Sequence, residues 1–141
     1  DGPASVRDAL VNGAERIGHG VRSIEDEELV AELAERQVVL EVSPTSNICL
    51  GVYEHYGEHP FRSLAEAGVP VTVNTDDPPM FNTTLTRELE VLVEHFDFGV
   101  DDLVDLTLRA LDAAFLPEAE RQALRASYLA EFDKLRGVAA V

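Results

Sequence analysis

Cysteine is nearly absent: Cys49 stands alone among 141 residues. That excludes a disulfide framework and a cysteine-built zinc site. A reduced, cytoplasmic setting is the expectation, with Cys49 as a small packed residue. Positive charge is scarce too. Eleven basic residues face 27 acidic ones, for a formal net charge of -16. Such a surface repels phosphate backbones and anionic lipid, so nucleic acid and membrane are poor partners. Acidic runs such as Glu25, Asp26, Glu27 and Glu28 read as a solvated helix face. No apolar run approaches the ~20 residues of a membrane span, and no signal peptide is visible. Met80 is the one methionine and the chain opens at Asp1, which suits a piece of something longer. What is present is apolar material: 45% of the residues are hydrophobic, enough for one domain with a core.

Helical and extended segments alternate. "PASVRDALVNG" places Val6 and Leu10 on one face and stops at Gly13. "ERIGHG" is a short strand candidate. "SIEDEELVAELAER" offers Ser23 with Asp26 as a variant capping box, then an apolar stripe of Leu29, Val30 and Leu33. "VVLEV", residues 38–42, fits a strand buried on both faces. "PFRSLAEAG" takes Pro60 into the first turn of a helix and stops at Gly68. "VPVTVN", residues 69–74, is a strand with Pro70 near its start. "TLTRELEVLVEHF" sets Leu85, Leu89, Leu92 and Phe96 on one side. Two further helices run from about Asp101 to Phe115 and from near Pro117, the second carrying Leu124, Tyr128, Phe132 and Leu135. Strands separated by helices predict a parallel sheet.

The three strands each end in polar residues: His19, then "SPTSN" at 43–47, then Asp76 and Asp77. Chemistry in α/β sheets and barrels sits at those carboxyl ends. Two adjacent carboxylates repel each other, and a divalent metal removes the conflict by ligating one and leaving the other to accept hydrogen bonds. An imidazole between Gly18 and Gly20 can then steer a metal-activated water and stabilise developing charge. Each feature has a plainer reading. Asp-Asp-Pro is a common turn, a glycine-flanked histidine is often structural, and "SPTSN" alone is a polar loop. "HYGEH", residues 55–59, matches a metalloprotease pattern. That chemistry needs a helix, and Gly57 and Pro60 predict a loop. His95 reads as a boundary residue.

"ERIGHG", "SPTSN" and "NTDDP" (74–78), in this order and spacing, resemble the adenosine deaminase family of metal-dependent amidohydrolases. The resemblance spans roughly Asp1 to Arg136. It implies the C-terminal part of a (β/α)₈ barrel: about three βα units, strands six to eight, plus C-terminal helices. Residues 1–141 would form one fragment of that barrel domain, with 98–141 as its closing helices. The resemblance also implies roles. Asp76 would be a zinc ligand, Asp77 would contact the purine, His19 would orient the attacking hydroxide, and Ser46 would support from behind. The family's H-x-H pair, its third zinc histidine and its proton-donating glutamate are absent here and are expected upstream of Asp1. The implied cofactor is Zn²⁺, and the implied reaction of the full-length protein is deamination of adenosine or deoxyadenosine to an inosine-type product. The fragment alone is expected to be inactive, with its open strand edges covered by the upstream barrel half or another chain. Aminodeoxyfutalosine, adenine or a nucleotide are the alternative substrates, the nucleotide least favoured. A non-catalytic α/β interaction module is the alternative of a different class.

Overall fold

The computed structural model describes residues 2–139. Helix α1 (Pro3–Val11) leads into β1 (Arg16–Gly18), and α2 (Glu27–Glu35) connects it to β2 (Val39–Val42). The short helices α3 (Pro44–Cys49) and α4 (Phe61–Glu66) carry the chain to β3 (Val71–Val73). Four helices follow: α5 (Pro78–Phe81), α6 (Leu85–Phe96), α7 (Val100–Asp112) and α8 (Glu118–Ala139). The strands form one parallel sheet in the order β1-β2-β3, with Ile17 opposite Leu40 and Leu40 opposite Val71. All three strands therefore point their carboxyl ends the same way. No helix among the described residues is long and apolar enough to cross a membrane.

The core lies between sheet and helices. Leu29 and Leu33 of α2, Leu40 and Val42 of β2, Phe61 and Leu64 of α4, Val71 of β3 and Leu92 of α6 are all fully buried. Burying a side chain of this kind is worth about 1.5–3 kcal/mol. On β2 burial alternates: Leu40 and Val42 are inside, while Val39 and Glu41 are half-buried. The strand is thus not buried on both faces as its composition suggested. Its second face is open enough for Glu41 to pair with Arg16 of β1 at 3.1 Å.

Several local expectations are corrected. Ser23 does not cap α2; it is fully buried in a 3₁₀ turn (Val21–Glu25), and its Oγ has no partner among the described residues. The cap is Asp26, whose carboxylate accepts the Leu29 N–H at 3.0 Å and the Arg7 guanidinium at 2.8 Å. Part of "SPTSN" is helical, because Pro44 suits a first helical turn and the buried Glu88 carboxylate accepts the Thr45 N–H at 3.1 Å. On α6 the buried face is Glu88, Val91, Leu92 and Phe96, and Leu85 is exposed. Cys49 is exposed, at the outer end of α3. Leu124, Tyr128 and Leu135 of α8 are exposed as well. "HYGEH" is a loop around a 3₁₀ turn (Tyr56–Glu58), with His55 exposed and His59 buried. Its two imidazoles share no helical face, which eliminates the protease reading.

Candidate active site

At the end of β1 the chain turns sharply. His19 adopts φ 57 and Gly20 φ 65, and the His19 N–H donates to the Glu41 carbonyl at 2.9 Å. A left-handed histidine costs about 1–2 kcal/mol, so its surroundings must hold it there. Beyond β3, Asp76 is also left-handed, with φ 56. That turn sends the two neighbouring carboxylates in different directions.

The Asp76 carboxylate points back across the strand ends. Its Oδ2 accepts the Ser46 hydroxyl at 2.7 Å and faces His19 Nε2 at 3.5 Å. Ser46 is fully buried, whereas the His19 and Asp76 side chains keep 38% and 36% of their surface. One rigid and two accessible groups are thus gathered from three strand ends. His19 and Asp76 border an open groove of about 560 Å³ that also touches Glu41, Ser43, Asn74 and Thr75. Asp77 is exposed, and its Oδ1 accepts the Met80 N–H at 3.0 Å, capping α5. The structure therefore brings His19, Ser46 and Asp76 together and leaves Asp77 beside them as a turn-forming carboxylate.

Two residues without an expected role stand behind His19. Asn47 is 2% exposed and its Nδ2 lies 3.1 Å from His19 Nδ1. His59 is buried with Nε2 2.9 Å from Asn47 Oδ1. The rings of Tyr53 and Phe96 pack edge-on against His59. Burial, and after it the nearby His19, push the His59 imidazole down to about 4. Asn47 closes the "SPTSN" run, but nothing in the spacing tied His59 to it.

Among the described residues, no group of three or more His, Cys, Asp or Glu comes together to hold a metal. A catalytic zinc takes three protein ligands and a water. The donor set of Asp76 with a facing imidazole therefore fits a contribution to a metal site and does not complete one.

Parallel strands whose carboxyl ends gather an imidazole, a serine and a carboxylate make this part of an α/β barrel of the amidohydrolase type, and known proteins agree. The Arthrobacter aurescens adenine deaminase superposes with a TM-score of 0.89 at 31% identity, over 95% of this chain and 41% of its own. A Burkholderia ambifaria amidohydrolase with bound Zn gives 0.89 at 29% identity, over 99% of this chain and 39% of its own. Curated relatives named adenine deaminase, from Rhizobium leguminosarum bv. trifolii and Rhizobium rhizogenes, are 50% identical over 126 residues and 52% over 127. The chain spans 39% of the length of each. The adenosine deaminase family matches residues 1–130, and this chain belongs to it.

Proposed function

We propose that this chain supplies part of the active site of a 6-aminopurine deaminase, with adenine ahead of adenosine as substrate. The observation carrying the site is the Asp76 carboxylate, anchored by Ser46 at 2.7 Å while facing His19 Nε2 at 3.5 Å. The substrate preference leans on relatives. Those about half identical to this chain are named adenine deaminases, which moves the proposal from the nucleoside that the motifs first suggested to the free base. An N6-methyl-AMP deaminase from Arabidopsis thaliana also superposes, with a TM-score of 0.82 at 26% identity over 92% of this chain. A net charge of -16 disfavours a phosphorylated substrate here.

When bound, zinc supplies a water acidified toward a pKa of ~7. Asp76 is this chain's candidate ligand for it, and Ser46 holds the carboxylate oxygen in place. His19 presents its imidazole to the attacking oxygen and stabilises the charge that develops. Asp77 has one oxygen engaged by Met80 and a second to offer the heterocycle. Oxygen from water bonds to C6, the C6–N bond breaks, and ammonia leaves a 6-oxopurine. Turnover of adenine, adenosine and aminodeoxyfutalosine by the full-length protein, with its zinc content, tests this. Adenine should be deaminated with the largest kcat/KM. A full-length protein that holds no zinc and turns over none of the three would instead be the interaction module.

A further inference from the structure

We propose that Asn47 and His59 are positioning residues that fix His19 in the tautomer carrying its proton on Nε2. The proposal rests on the catalytic reading of His19 given above, and its geometry starts from a donor that cannot reverse. A backbone N–H only donates. The Phe61 N–H points at His59 Nδ1 at 3.2 Å, so Nδ1 must offer its lone pair. A neutral His59 then bears its proton on Nε2. That N–H donates to Asn47 Oδ1 at 2.9 Å. The orientation of the Asn47 amide follows, because the reverse would set two N–H groups against each other. Its Nδ2 accordingly donates to His19 Nδ1 at 3.1 Å. With Nδ1 accepting, the His19 proton resides on Nε2, the nitrogen that faces Asp76 Oδ2 at 3.5 Å.

The two links at His59 are buried, and the Asn47–His19 link is part-buried. Asn47 and His59 are 2% and 5% exposed, so water competes poorly for these bonds. The depressed pKa of His59 agrees with its neutral form. The consequence for chemistry is specific. A histidine held as an Nε2–H donor presents a hydrogen bond to an attacking oxygen from the outset, and no reorganisation is needed at the moment of reaction. The opposite tautomer would present a lone pair to a carboxylate and to an anionic nucleophile. The chain of bonds begins at the amino end of α4 and crosses α3 to the end of β1, so it ties three elements to one nitrogen.

The experiment uses the full-length protein with ¹⁵N-labelled histidine, and long-range ¹H–¹⁵N ring spectra assigned through His19→Gln. The expected wild-type result is a protonated Nε2 and a bare Nδ1 at His19. Asn47→Asp replaces the donor with an acceptor of the same shape and should move the proton to Nδ1. Asn47→Leu should leave a mixture of tautomers. Both variants should lower kcat by roughly 10–100-fold with KM little changed, the size seen when outer partners of site histidines are removed. His59→Gln, whose amide can still donate to Asn47 Oδ1, should preserve the tautomer better than His59→Phe. A wild-type His19 protonated on Nδ1 would overturn the proposal by itself, whether or not any variant folds. A tautomer unmoved by Asn47→Asp, or one that moves with no change in kcat, would overturn it too. The ring spectra need no substrate. Failure to deaminate any purine, with the Nε2 proton in place, would therefore sink the functional reading and leave the tautomer assignment standing.

Discussion

A buried hydroxyl that donates to a carboxylate does two things. It removes one rotational freedom from the acid, and it decides which oxygen stays available. Ser46 does this for Asp76, through a 2.7 Å bond from a fully buried position. Ser46→Ala should leave the fold intact and the Asp76 carboxylate loose. The expected cost is roughly 10–100-fold in activity or zinc affinity of the full-length enzyme. Steady-state kinetics with metal analysis would show it, and an unchanged kcat with unchanged zinc would refute the anchoring role. His59 supports a second prediction at this scale. Its folded pKa of about 4 lies below the ordinary 6.5. Between these values the unfolded chain binds a proton that the folded chain refuses. Stability therefore falls as pH drops from about 6.5 toward 4, and the loss levels off below that. The full effect is on the order of 3 kcal/mol. Urea unfolding across that window should show a steeper pH dependence in the wild type than in His59→Gln. Parallel curves would mean that His59 titrates normally.

Elements show why some of this arrangement was readable in the sequence and some was not. Apolar strands and helices with uninterrupted stripes were legible: β1, β2, β3, α1, α2 and α4 fall where residue spacing put them. On α6 the stripe was displaced, because its inward face includes Glu88. A pattern that looks only for apolar residues passes over a carboxylate and draws in Leu85 instead. Glu88 is tolerated inside because the Thr83 hydroxyl donates to it at 2.6 Å and the Thr45 N–H at 3.1 Å. That partnership is distant in sequence, and so is the one between His59 and Asn47. Such contacts leave no local periodicity to read, so α3 looked like a loop and His59 like half of a zinc motif. The His19 turn, in contrast, was announced by its glycines. At Gly20, φ is 65 and an added Cβ would lie 2.7 Å from Leu40 Cδ2. Gly13, with φ 84, has open space around its Cβ position. Gly13→Ala should cost about 1 kcal/mol from backbone strain alone. Gly20→Ala should cost more, because overlap with a core leucine adds to that strain. Chemical denaturation of the two variants compares them directly, and equal losses would mean that Leu40 moves aside freely.

At the scale of the whole molecule, the sheet is open. Among the described residues β1 and β3 each pair on one side only, with β2. Unpaired parallel edges invite further strands, and barrel enzymes of this kind close eight strands around a packed interior. The relatives, of which this chain spans 39%, have room for the remainder. Metal binding follows the same division. The described residues bring no three candidate ligands together, and one carboxylate facing one imidazole holds zinc far more weakly than a complete set. Dialysed against buffer without metal, the 141-residue chain should retain well under one zinc per molecule, while the full-length protein should retain about one. In the full-length protein Asp76→Ala should lose that ion, and Asp77→Ala, whose carboxylate faces the α5 turn, should keep it. On the proposed role of Asp77 at the purine, that variant should still lose turnover. Zinc bound one-to-one by the short chain would mean that its own residues rearrange into a full ligand set. Zinc kept by Asp76→Ala and lost by Asp77→Ala would exchange the roles of the two acids, and with them the direction from which a purine approaches His19.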